Sequence, residues 1–221
     1  MNETDQTARE VVPAPADTDT AAALRRAART VFAEQGYDGA SIRAITAAAG
    51  ANLGAVTYHF GSKRALYEAV VEDVMGPLAD RVTAAASGSA PPLERAAAVV
   101  RAYFAYFGEH HDVPRLMLQE LANGRDLPPA AARNMGRMLG ALSALIASGQ
   151  ADGTMRPGEP RLMALAVVSH PLHLHLVRPQ LRAFAALDID DPALRGRLVE
   201  NAVRFVRGGL AAEASPREAI P

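Results

Sequence analysis

SIRAITAAAGANLGAVTYHFGSK, residues 41–63, is the stretch on which the fold turns. Ser41 is a good N-cap for a short helix that presents Ile42, Ile45 and Ala49 inward. Gly50 supplies the left-handed backbone of a tight turn. A second short helix runs from Asn52 to Phe60, with Val56 and Phe60 inward at i and i+4. Gly61 ends it, and Ser62 opens a longer helix whose inner face is Leu66, Val70, Val74 and Leu78. Two short helices joined by a glycine turn make a helix-turn-helix, whose second helix can enter a DNA major groove. Ile45, Ala49, Val56 and Phe60 hold the pair together, which leaves Asn52, Leu53, Gly54, Ala55, Thr57 and Tyr58 exposed or on the rim. Gly54 and Ala55 are small enough for the backbone to approach base edges, while Thr57 and Tyr58 offer hydroxyls to phosphates.

Lys63 begins the next helix directly after Gly61 and Ser62. A cation in a first helical turn opposes the helix dipole. Its position makes sense if a phosphate lies at that helix N-terminus, where free amides and the ammonium converge on one anion. Lys63 is also the only lysine of the chain. Between Thr20 and Arg64 the cations Arg25, Arg26, Arg29, Arg43, Lys63 and Arg64 face only Glu34 and Asp38, a local surplus of four in a chain of net charge -1.

Outward from this segment the pattern is helical throughout. Upstream, Leu24, Ala27, Ala28, Val31 and Phe32 form the stripe of a helix from Thr20 to Gln35, which Gly36 can end. Residues 1–18 are polar and Pro/Ala-rich and read as a disordered arm. Downstream, SGSAPP at residues 87–92 marks a domain boundary. The expected organisation is a helix-turn-helix domain over 19–80, a helical domain over 92–212 and a flexible tail over 213–221. Five helices are expected beyond the boundary: about 93–109, 113–122, 128–148, 160–177 and 192–210.

Composition agrees with an all-α fold. Hydrophobic residues make up 49% of the 221, Ala and Leu are abundant, and no alternating strand pattern is found. The absence of cysteine excludes disulfide scaffolds, thiolate metal sites and cysteine nucleophiles. No apolar run approaches a membrane span, and the N-terminus has no secretory pattern, so a cytoplasmic location is expected.

The segment TVFAEQGYDGASIRAITAAAGANLGAVTYHFGSKRALYEAV resembles the N-terminal domain of TetR/AcrR-type regulators, over roughly Thr20 to Met75. The matching features are Phe32 before Gly36, Arg43 early in the second helix, the turn at Ala49-Gly50, and Tyr58-His59-Phe60 followed by Ser62-Lys63. The resemblance implies base contacts by Arg43 and the start of the recognition helix, and phosphate contacts by Tyr58, His59 and Lys63. Ser41, Arg43, Asn52, Leu53, Gly54, Thr57, Tyr58, His59 and Lys63 are the expected DNA-binding set. Thr57 departs from the family pattern, which more often has Tyr there, and this puts one phosphate contact in doubt. His59 can equally be a hydrogen-bonding residue between helices.

The resemblance also implies that the second domain dimerises through its final two helices. Leu194, Leu198, Ala202, Phe205 and Val206 form a stripe compatible with this, or with packing inside one subunit. A dimer has a physical rationale, since two recognition helices one DNA turn apart match a palindrome. A ligand site for a small, largely apolar molecule is expected among Tyr103, Phe104, Phe107, His111, Met117, Met135, Met138, His170 and His173, each of which also fits ordinary core packing. Pro171 should bend its helix beside the two histidines. A chelate by His170 and His173 is conceivable, but the histidines read as core or pocket groups, and neither metal nor cofactor is called for.

The reading is therefore a sequence-specific DNA-binding regulator, a repressor released from a palindromic operator by a ligand. One alternative is a DNA-binding regulator without a ligand. Another is an all-helical enzyme, for which no P-loop, nucleophile elbow, HExxH or dinucleotide fingerprint speaks.

Overall fold

The structure is a computed structural model and describes residues 15–122 and 126–212. Ten helices are found among the described residues: α1 (Pro15–Gly39), α2 (Ile42–Ala48), α3 (Ala55–Phe60), α4 (Lys63–Ala86), α5 (Pro92–Glu109), α6 (Val113–Ala122), α7 (Pro129–Ala151), α8 (Pro160–Leu176), α9 (Arg178–Ala185) and α10 (Pro192–Leu210). The only bridge among these residues is an isolated antiparallel one between Met155 and Ala211. The chain divides into two compact units between Tyr67 and Glu68, inside α4. The expected arm up to residue 14 and the tail from 213 lie outside the described residues, whereas the chain is already helical from Pro15.

The first unit is built on the apolar stripe of α1. Leu24, Ala28, Val31 and Phe32 are buried with Ile45 of α2, Val56 of α3 and Leu66 at the start of α4. Gly36 sits at φ 71, ψ 174, so the regular helix breaks at the position the sequence marks as its end, and one more turn carries the chain to Gly39. Only glycine adopts such a backbone without strain.

In the second unit α5 is the central helix. Ala96, Ala97, Val99, Val100, Tyr103, Phe104, Tyr106 and Phe107 are all buried, which leaves it apolar on several sides, and α7, α8 and α10 pack around it. Tyr106 Oη donates to the Val74 carbonyl of α4 at 2.6 Å. That bond falls close to Pro77, which brings no N–H to the helix that contains it. Polar groups join α4 to α7. Glu68 Oε2 accepts from the amide of Ala130 at 3.2 Å, and Glu72 Oε2 accepts from Asn134 Nδ2 at 3.0 Å and from the Arg133 guanidinium.

Among the described residues beyond the boundary there are six helices where five were expected. The additional one, α9, starts with Pro179 in its first turn and buries no residue fully. Proline suits a helix start as well as a stop, and eight residues are too few for periodicity to separate helix from loop. On α10 the expected stripe splits. Ala202 and Val206 are buried, Leu194 and Leu198 are half-buried, and Phe205 is 70% exposed.

Candidate nucleic-acid interface

The geometry of the helix-turn-helix follows from its caps. Ser41 Oγ accepts the amide of Ala44 at 3.0 Å, satisfying an orphan donor at the start of α2. Thr46 is buried within α2 because its hydroxyl donates back to the Ile42 carbonyl at 3.0 Å. The turn closes through Ala51, whose amide donates to Thr46 O at 2.9 Å, with Gly50 at φ 63. Asn52, Leu53 and Gly54 belong to this turn rather than to α3, which begins at Ala55. Gly61 at φ 77 ends α3, and Ser62 Oγ then caps α4 by accepting from the Ala65 amide at 3.1 Å.

The side chains that hold α2 and α3 together are buried: Ile45, Ala55 and Val56. Phe60 is half-buried, with the Arg25 guanidinium 5.7 Å from its ring centroid. Of the nine residues expected to meet DNA, Ser41, Arg43, Asn52, Leu53, Gly54, Thr57 and Tyr58 are exposed, and His59 and Lys63 are half-buried. Leu53 and Tyr58 stand out physically, at 62% and 74% exposure, because neither buries its apolar surface within the unit. Tyr58 packs edge-on against His59, with centroids 4.8 Å apart. Lys63 Nζ lies 4.5 Å from the centroid of the Tyr37 ring. Sequence reasoning gave Tyr37 no role; only Gly36 just before it marked a change of chain direction.

The residues expected to form a ligand site divide into three groups, apart from Met135, which is half-buried on α7. Tyr103, Phe104, Phe107, Met117 and Met138 are buried in the second unit. Tyr103 Oη donates to Met138 Sδ at 3.4 Å, and the Tyr103 and Phe107 rings are 5.7 Å apart. A thioether is a weak acceptor, and burial pushes the Tyr103 phenol well above its usual range. His111 is exposed, with Nδ1 3.1 Å from the Phe107 carbonyl. His170 and His173 lie elsewhere: His170 is half-buried and stacks on Phe205 at 5.8 Å, and His173 is exposed.

The histidine that does reach the aromatic cluster is His175, 5.2 Å from Phe104 and 5.4 Å from Phe107. Because a carbonyl only accepts, its Nδ1 donates to Pro171 O at 2.9 Å. Burial holds its pKa below the ordinary histidine value, assisted by the charges of His111 and Arg178 and countered by the Pro171 bond and Asp190. The signal was available, since the buried stripe Met163, Val167, Pro171 continues in steps of four to His175. Phe104 also borders an open groove of about 680 Å³ between α5 and α10, together with Arg101, Ala105, Arg195 and Val199. Among the described residues no group of three or more His, Cys, Asp or Glu could hold a metal ion. No helix of those residues is long and apolar enough to cross a membrane.

A capped helix-turn-helix with an exposed recognition face, joined to a separate all-helical unit, defines the class of two-domain DNA-binding transcriptional regulators. Two family models agree: bacterial regulatory proteins of the tetR family match residues 24–70, and the tetracyclin repressor-like C-terminal domain matches residues 92–206. The chain belongs to the TetR family, whose members are transcriptional regulators rather than enzymes. It is 24% identical to the HTH-type transcriptional regulator RutR of Escherichia coli K12 over 189 residues, covering 85% of this chain and 89% of that protein. Over 56 residues, 25% of this chain and 30% of the other, it is 39% identical to the HTH-type transcriptional repressor AcnR of Corynebacterium efficiens. Among solved structures it is similar to a tetR-family regulatory protein from Rhodococcus RHA1, with TM-score 0.69 and 26% identity, covering 85% of this chain and 96% of that one.

Proposed function

We propose that this regulator is a homodimeric repressor that binds a palindromic operator and leaves it when a small, largely apolar molecule enters the second unit. The observation that carries the DNA reading is the solvent-facing recognition surface. Leu53 and Tyr58 offer large side chains to solvent beside Arg43, Asn52 and Thr57, and Lys63 adds a cation at the N-terminus of α4. Arg43 and the residues from Asn52 to Gly54 read base edges, while Tyr58, His59 and Lys63 contact phosphates.

Dimerisation is supported by the outer faces of α8 and α10. Leu162, Leu165, Ala166, Ser169 and His173 fall on one exposed face of α8, and Phe205 is the large exposed apolar side chain of α10. The His170–Phe205 stack joins the two helices beside that face. An apolar surface of this kind on a regulator calls for a second copy, and a two-fold pair of recognition helices calls for a palindrome. The ligand reading is supported by the cluster of Tyr103, Phe104, Phe107, Met117 and Met138, whose adaptable methionines and poorly satisfied Tyr103 hydroxyl suit an apolar molecule with one polar acceptor. A cytoplasmic location accords with this role.

The test is retention of fragmented genomic DNA by the purified full-length protein, with sequencing of what remains bound at moderate salt. A short enriched palindrome is expected, and it then serves as the probe for ligands that release it. Retention of DNA without any shared sequence would remove the operator reading.

A further inference from the structure

We propose that Tyr37 is a positioning residue for DNA-backbone binding, its ring holding the Lys63 ammonium in place at the first turn of α4. The inference rests on the reading of Lys63 as a phosphate contact and adds a residue to which neither the sequence motif nor the family comparison gave a role.

The local chain geometry builds the contact. Gly36 at φ 71, ψ 174 interrupts α1 and turns Tyr37 onto an aromatic floor. Phe32 and Tyr67 are 0% and 4% exposed and meet edge-on at 4.7 Å, and Tyr37 lies 6.2 Å from the first and 5.0 Å from the second. A half-buried ring pinned in this way still takes Lys63 Nζ 4.5 Å from its centroid. A lysine here needs such help. Its side chain is long and flexible, and the N-terminal end of a 24-residue helix repels its charge. Among the described residues no carboxylate pairs with it, so the ring is what offsets the repulsion and restricts the rotamers. The type of partner matters as much as its presence. A carboxylate would compete with phosphate for the ammonium, whereas an aromatic face attracts the cation without occupying its N–H donors. The sequence therefore stations its single lysine while leaving all three donors for an incoming phosphate oxygen.

Two measurements on the full-length protein test this. Because Lys63 is the only lysine, ¹³C-lysine labelling gives one Cε–Hε signal, which the ring current of Tyr37 should place upfield of free lysine. Tyr37→Phe should keep that position, and Tyr37→Leu should move it to the free-lysine value. Second, affinity for a mixed-sequence duplex is measured against salt concentration for the wild type, Tyr37→Phe, Tyr37→Leu, Lys63→Ala and the double variant Tyr37→Leu/Lys63→Ala. Lys63→Ala should lower the salt slope by about one unit per half-site. Tyr37→Leu should weaken binding by about two- to five-fold per half-site, the range of an exposed cation–π contact, with Tyr37→Phe near wild type. In the Lys63→Ala background the Tyr37→Leu loss should vanish.

Full additivity of the two losses, or a wild-type Lys63 signal at the free-lysine position, would overturn the role of Tyr37 while leaving Lys63 a phosphate contact. An unchanged slope in Lys63→Ala would refute the phosphate contact itself, and the inference with it.

Discussion

Replacing Asn134 by alanine tests whether the join between α4 and α7 is a fixed element of the second unit. Asn134 is 0% exposed, and its Nδ2 donates to Glu72 Oε2 at 3.0 Å and to the Ala130 carbonyl at 3.0 Å. Its Oδ1 accepts from Arg137 Nη1 at 3.1 Å. Loss of a buried hydrogen bond to a carboxylate costs about 1.5–3 kcal/mol, and the low end applies because Glu72 is half-exposed and keeps Arg133. The bond to Ala130 adds about 0.5–1 kcal/mol, and the space left by the amide adds about 1 kcal/mol. Alanine returns roughly 0.6 kcal/mol in helix propensity. The balance is a loss of about 2.5 kcal/mol, or roughly 5–10 °C in Tm for a chain of this size. Denaturant unfolding of the full-length protein, followed by far-ultraviolet circular dichroism, reads it directly. The comparison variant is Arg133→Ala, which removes the exposed partner of the same carboxylate and should cost under about 1 kcal/mol. If Arg133→Ala destabilises as much as Asn134→Ala, buried hydrogen bonding is not what joins the helices and the reasoning fails.

Three further outcomes are expected. Gly36→Ala should destabilise the first unit by about 1–3 kcal/mol, because an L side chain is strained at its φ of 71°; a neutral change in unfolding would mean the break in α1 can relax. Phe205→Glu places charge on the exposed face of α10 and should convert a dimer to monomers in light scattering, whereas an unchanged dimer mass would move the subunit interface elsewhere. Burial holds down the pKa of the half-buried His175, so between its folded and unfolded values the unfolded chain binds more protons than the folded one. Stability should therefore fall as pH drops from about 6.5 through the folded value. His170, also held down by burial and by the His173 charge, contributes in the same direction. His175→Phe should flatten much of this dependence, and an unaltered pH profile would show that His175 charges without cost.

The two domains differ in how much of them is legible in the sequence. The helix-turn-helix was legible at four of its boundaries, each with a local chemical cause: the Ser41 cap, the Gly50 turn, the Gly61 stop and the Ser62 cap. The start of α3 was not, because Gly54 precedes it without a side-chain cap and the helix begins at Ala55 rather than Asn52. The candidate DNA face was read by subtraction, as what remained after Ile45 and Val56 were assigned to packing, and this wrongly left Ala55 on the rim, where the structure buries it against the core. Contacts between distant residues were not legible. Lys63 and Tyr37 are separated by the whole helix-turn-helix, and nothing in their spacing signals that they meet. The second domain was readable as helices and stripes only. A stripe gives the apolar side of a helix but not its neighbour, so Phe205 was grouped with Val206 although the structure turns one outward and the other inward. For the same reason His170 and His173 drew attention by their spacing, while His175, which reaches Phe104 and Phe107, did not.

That Lys63 is the only lysine of the chain has a practical consequence. Every other side-chain cation is an arginine or a histidine, and neither offers a primary amine. A reagent selective for side-chain amines therefore marks the candidate DNA face at a single atom, the Lys63 Nζ that lies 4.5 Å from the centroid of the Tyr37 ring. Protection of that amine by bound duplex would footprint the face without any substitution.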